Sequence, residues 1–192
     1  EDKLTYLPNG IDPVEFTPRQ DRWTARHSLG IARDRLVIGV VGRLSAEKGV
    51  DRAIRTLARL RPAFPQAELH LIGDGPMRAD LEALARELGV ADAMRFHGWQ
   101  KDARGFYEAM DLLLLPSHTE GMPNVVLEAM AMGVPVAATH VGGVSELLDG
   151  GRCGAVLTGE PAAWVQPIAR LLGDDTERDR MARRARNRVE LF

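Results

Sequence analysis

Four leucines, Leu112 to Leu115, follow one another with no polar residue between them. Neighbouring side chains of a strand point to opposite faces, so a strand built from this run buries both. Such a strand belongs inside a parallel sheet with helices above and below it, joined to its neighbours by helical crossovers. The flanking sequence supplies them. The runs LVIGVVG (36–42), AELHLIG (67–73), AMRFHG (93–98), DLLLLPS (111–117), VPVAAT (134–139) and CGAVLT (153–158) read as strands. Between them, VDRAIRTLARL (50–60) aligns Ile54, Leu57, Ala58 and Leu60 on one stripe. PMRADLEALAREL (76–88) does the same with Leu81, Leu84, Ala85 and Leu88, and Pro76 is expected just inside its start. A more apolar helix is expected around 122–132, with two final helices over 161–172 and 175–191. The arginines of the last one read as a solvated face. The expected fold is α/β: a Rossmann-like, doubly wound parallel sheet of about six strands. Residues 1–30 form a lead-in outside the repeat, with a short strand and turn in LTYLPNGID and a helix near 19–29.

Composition narrows function mainly by exclusion. Formal net charge is -2 over 192 residues, which carries no global signature of nucleic-acid binding. The one cysteine, Cys153, rules out an internal disulfide, reads as a small buried thiol and fits a reducing, cytoplasmic setting. No apolar run reaches the ~18 residues of a membrane span, and the first residues lack the pattern of a signal peptide. The chain begins without Met, so a piece of a longer protein is expected.

In an open parallel sheet, ligands bind beyond the carboxyl ends of the strands. That rule selects the loops over 42–49, 73–76, 97–102, 117–124 and 140–146. In GRLSAEKG (42–49), Gly42 lets the backbone turn closely, and Arg43 and Lys48 can converge on one anion, a pairing suited to a diphosphate. The competing reading pairs them with Glu47 and Asp51. The loop is neither a nucleotide-binding G-x-x-x-x-G-K-[ST] nor a dinucleotide-binding G-x-G-x-x-G, and IGDGP (72–76) completes neither. In SHTEGMPN (117–124), Gly121 permits close approach, and Pro123 is expected as the first helical residue. The start of that helix offers free N–H groups and a positive dipole end to a phosphate. Glu120 and Glu128 then lie on either side of it, and carboxylates are apt partners for vicinal sugar hydroxyls. The alternative for Glu128 is a bond to backbone N–H groups or an arginine. His118 reads as a loop spacer, and His97 and His140 carry no assigned proton role.

These segments together resemble the C-terminal, donor-binding half of a retaining GT-B glycosyltransferase of family 4, also called group 1. The resemblance rests on PNGIDPVEF (8–16), GRLSAEKGVDRAI (42–54), LHLIGDGP (69–76), RFHGW (95–99), EGMPNVVLEAMAMGVPVAAT (120–139) and GGVSELL (142–148), in that order. It implies that Gly42, Arg43 and Lys48 meet the leaving diphosphate. It also implies that Glu120 holds the transferred sugar, and that Glu128, eight positions on, holds the ribose of a UDP-, GDP- or ADP-sugar. Backbone N–H groups around Gly121 to Val125, a segment that also includes Met122, Pro123 and Asn124, would face the sugar and phosphates. The segment His97, Gly98 and Trp99 would border the base. The catalytic set is then Glu120, Arg43 and Lys48, with no bound metal and no cofactor. The resemblance places residues 1–192 in the nucleotide-sugar-binding domain. The acceptor, a saccharide, a lipid or another molecule, falls to an amino-terminal domain outside these residues, so this half alone is expected to transfer nothing. It also allows peripheral association of the full-length protein with the inner membrane face. Two other readings remain open: a nucleotide-binding module without catalysis, and a GT-B-related sugar-nucleotide epimerase.

Overall fold

The computed structural model describes residues 9–12 and 14–192. Most of the short strand expected within 4–12 lies outside the described residues, and 9–12 are not part of a strand. Among the described residues six strands form one parallel sheet: β1 (Leu36–Val41), β2 (Ala67–Ile72), β3 (Met94–Gly98), β4 (Leu112–Leu115), β5 (Val136–Thr139) and β6 (Ala155–Leu157). Their order is β3-β2-β1-β4-β5-β6, so the winding reverses between β1 and β4.

The leucine run behaves as its pattern demands. Leu112 and Leu114 enter one core and Leu113 and Leu115 the other, and all four are buried. The first core is closed by α2 (Val50–Leu60), α3 (Arg78–Glu87) and α7 (Pro161–Gly173), where Ile54, Leu57, Leu81 and Trp164 are almost fully covered. The second core lies under α4 (Arg104–Ala109), α5 (Asn124–Ala131) and α6 (Val144–Leu147). Each large apolar side chain buried this way contributes about 1.5–3 kcal/mol. The last helix, α8 (Asp175–Val189), sends Met181 to the first core and Ala185 and Val189 to the second. Among the described residues no helix is long and apolar enough to cross a membrane.

The lead-in helix α1 (Arg22–Ser28) is capped by Asp21, whose carboxylate accepts from the N–H groups of Trp23 and Thr24. Two expectations need correction. Pro76 stands before α3, which starts at Arg78. Pro123 is the residue before α5 rather than its first, with ψ at 111°. Helices α4 and α6 are short, and neither carries two full turns of apolar spacing from which to read it.

Candidate functional site

At the reversal between β1 and β4, the loops after those strands lie side by side, the usual place for a ligand on such a sheet. Backbone packing holds them there. Gly49 has φ +58°, and a side chain at it would stand 2.4 Å from the carbonyl oxygen of Pro116. Gly142 has φ +49° and lies as tightly against the carbonyls of Glu120 and Gly121. The N–H of Gly143 donates to Gly121 O at 2.7 Å. Gly73 packs onto Gly42 so closely that no Cβ fits. Arg52 of α2 adds a side-chain tie: it donates to Pro116 O at 3.1 Å and Gly159 O at 3.0 Å, and stacks on Trp164. Arg52 and Gly142 fall within GRLSAEKGVDRAI and GGVSELL, but neither residue type alone marks its part in this frame.

Two expected residues meet on this frame. Lys48 Nζ donates to both carboxylate oxygens of Glu120, at 2.8 and 3.0 Å. Ser117 Oγ donates to the same carboxylate at 2.7 Å. The side chains are 31% and 10% exposed, so the pair is sheltered yet reachable from solvent. Lys48 therefore pairs with neither Glu47 nor Asp51; Glu47 takes the hydroxyl of Ser45 instead. Arg43 is exposed and, among the described residues, its guanidinium makes no hydrogen bond or ion pair.

Gly42 and Arg43 line a cleft of about 480 Å³ with Val41, Ile72, Gly73, Asp74, Trp99, Gln100 and Ala103. All of these come from the loops and strand ends after β1, β2 and β3. Trp99 is 74% exposed at its rim. Hollows of similar size occur beside α1 and between β6, α7 and α8, so volume alone does not mark the site; the reversal of the sheet does.

His97 is not in that cleft's lining. Leu71 pairs with Phe96 and Ile72 with Gly98, which leaves His97 as the extra residue of a β-bulge. Its ring turns onto Phe106 and its Nε2 lies 3.0 Å from His70 Nδ1. His70 Nε2 in turn lies 3.2 Å from Glu68 Oε2. The carboxylate requires the proton on His70 Nε2, so His70 Nδ1 accepts from His97. Burial, with His70 and Arg95 alongside, lowers the His97 pKa to about 4. Gly98, at φ +68°, ends the bulge and accepts from Gly73 N through its carbonyl.

Glu128 lies one turn into α5 and uses neither expected kind of partner. Tyr107 Oη of α4 donates to its Oε2 at 2.7 Å. Burial raises its pKa and the Tyr107 hydroxyl opposes that rise. Glu128 and Asn124 border a cavity of about 220 Å³ with Gly10, Ile11, Asp12, Glu15, Phe16 and Leu127. The lead-in is thus part of the site's surroundings: Asn9 Nδ2 donates to Met122 O and Asn124 Oδ1, both at 2.9 Å. Among the described residues no side chain caps α5; Gly121 and Asn124 are exposed, Met122 and Val125 are half-buried, and Pro123 is buried.

Residues 21–188 match the family described as glycosyl transferases group 1. The chain belongs to that family. D-inositol 3-phosphate glycosyltransferase of Corynebacterium jeikeium (strain K411) is 36% identical over 201 residues, covering 98% of this chain and 48% of the relative. Among solved structures, WaaG, a glycosyltransferase involved in lipopolysaccharide biosynthesis, superposes with a TM-score of 0.87 at 29% identity, over 97% of this chain and 52% of its own. Anabaena Alr3699/HepE in complex with UDP gives a TM-score of 0.87 at 29% identity, over 95% of this chain and 51% of its own. This group 1 chain has the Rossmann-like α/β fold of GT-B glycosyltransferases and spans about half the length of the curated relatives it matches.

Proposed function

We propose that this chain is the nucleotide-sugar-binding domain of a retaining glycosyltransferase, acting on a saccharide, lipid or other acceptor held by a second domain. The observation that carries this reading is the meeting of Lys48 and Glu120 at the reversal of the sheet, in the same loops as the exposed Arg43 and the exposed start of α5. Arg43, Lys48 and the α5 N–H groups supply positive charge for a departing diphosphate, the part a metal ion plays in other enzymes. Glu120, oriented by Lys48 and Ser117, accepts hydroxyls of the transferred sugar. Glu128 accepts the ribose hydroxyls, and Gly98 and Trp99 border the base. The donor is a UDP-, GDP- or ADP-sugar; crystal structures of HepE with UDP and with UDP-glucose support a uridine nucleotide first. A cytoplasmic enzyme, peripheral to the inner membrane face in its full-length form, is the setting this reading implies.

Calorimetric titration with UDP, GDP and ADP tests the reading. One base is expected to bind preferentially, and Lys48→Ala to weaken it about tenfold, with most of that difference lost at high salt. Absence of binding by any of the three at millimolar concentration would falsify the donor-site assignment.

A further inference from the structure

Tyr107 is fully buried in the second core, and a phenylalanine of the same outline would fill its place. Its hydroxyl is therefore the part that packing does not explain. The only hydrogen bond it makes among the described residues is the one to Glu128 Oε2, at 2.7 Å. A buried hydroxyl needs a partner, and this one reaches a carboxylate that itself faces a cavity. The bond occupies one carboxylate oxygen and fixes the plane of the group. Oε1 has no hydrogen-bond partner among the described residues and remains for a ligand. The cavity beside it, about 220 Å³, has room for a sugar ring and falls short of what a whole nucleotide requires.

We propose that Tyr107 is a positioning residue that sets how strongly the site prefers a ribose diol, by holding Glu128 with one oxygen turned to the ligand. The proposal rests on the reading of Glu128 as the ribose partner. Its chemistry is a relay of acceptance: the phenol O–H donates to Oε2, and the 2′- and 3′-hydroxyls donate to Oε1. A second consequence concerns protonation. Burial raises the Glu128 pKa and the Tyr107 bond lowers it, while Asp12 and Glu15 border the same cavity as further acidic groups. Removing the phenol oxygen removes the stabilisation of the charged form. Nucleotide affinity then declines at a higher pH on acidification than it does in the parent chain.

The experiment compares the tightest binder among UDP, GDP and ADP with its 2′,3′-dideoxy analogue, in the parent chain, Tyr107→Phe and Glu128→Gln. Tyr107→Phe is expected to lose about tenfold in affinity for the ribonucleotide and nothing for the dideoxy analogue. The midpoint of its acid loss of binding is expected to move up. Equal weakening of both ligands, or an unmoved midpoint, would mean that Tyr107 serves packing alone and would overturn the proposal. If Glu128→Gln loses diol preference while Tyr107→Phe keeps it, the proposal fails and the ribose assignment stands. If the parent chain and Glu128→Gln bind both ligands alike, the ribose assignment fails and the proposal with it. Thermal melting of each variant without ligand separates these outcomes from loss of folding.

Discussion

The two ends of β4 each hold a sheltered carboxylate, and they are built differently. At the amino end, Asp111 is 3% exposed and accepts from Arg26 at 2.5 Å, Arg22 at 2.9 Å and the N–H of Val37 at 2.7 Å. Arg26 spends its remaining donors on the carbonyls of Ala109, Arg33 and Arg35, and is itself 2% exposed. Arg22 reaches solvent, but Arg26 and the Val37 N–H that complete the set are covered. At the carboxyl end, Glu120 shares a lysine that is one-third exposed, and the neighbouring Arg43 makes no hydrogen bond or close ion pair among the described residues, with Glu47 its nearby charge. The same chemistry, an acid with a base, serves as a closed staple at one end and an open, pre-oriented site at the other.

That contrast can be broken most forcefully at the closed end. Asp111→Ala leaves Arg26 buried without its counter-charge and is expected to cost about 3–5 kcal/mol in urea unfolding. Replacing both, as Arg26→Met with Asp111→Leu, should restore much of that loss, because the charge left unpaired is then gone. A single variant as stable as the parent would show that the staple is not closed.

Next in size is the open end. Glu120→Gln is expected to change unfolding free energy by only about 1 kcal/mol or less, since its partner is partly solvated. In the full-length enzyme the same change should slow sugar transfer roughly 100-fold while altering nucleoside-diphosphate affinity much less. Equal losses in binding and transfer would remove Glu120 from the sugar side.

The smallest effect probes whether the closed character extends to the sheet edge, where His97, His70 and Glu68 form a chain beside Phe106 and Arg95. A histidine with pKa lowered from 6.5 to about 4 binds fewer protons folded than unfolded. Its contribution is present above pH 6.5, declines as pH falls toward about 4, and is flat below that. Melting temperatures across that window should fall by an amount equivalent to about 1 kcal/mol after allowance for screening, and less steeply in His97→Gln. Parallel curves for parent and variant would place the acid sensitivity elsewhere.

Periodicity makes the sheet legible because it is a local property. Leu112 to Leu115, the α2 stripe and the strand starts could be read without knowing any neighbour. The loops carrying Lys48 and Glu120 were legible as well, since the fold rule points to strand ends. What stayed hidden depends on pairs distant in sequence. Asp111 looks like the first polar residue of a strand until Arg26, 85 positions away, is folded against it. Tyr107 sits in a six-residue helix too short to show a stripe, and its partner is 21 positions on. His97 was read as part of a loop because a bulge changes which way one side chain points without changing composition.

The tightest contact at each of Gly49, Gly73 and Gly142 is with backbone, and at Gly73 and Gly142 no side chain takes part. Geometry held this way is indifferent to which residues decorate the rim. Trp99, 74% exposed at the rim, can be exchanged without moving the frame, whereas any larger residue at those three glycines forces the loops apart. The site is in that sense a fixed mount with interchangeable fittings, and libraries that probe the proposed donor preference belong on the fittings.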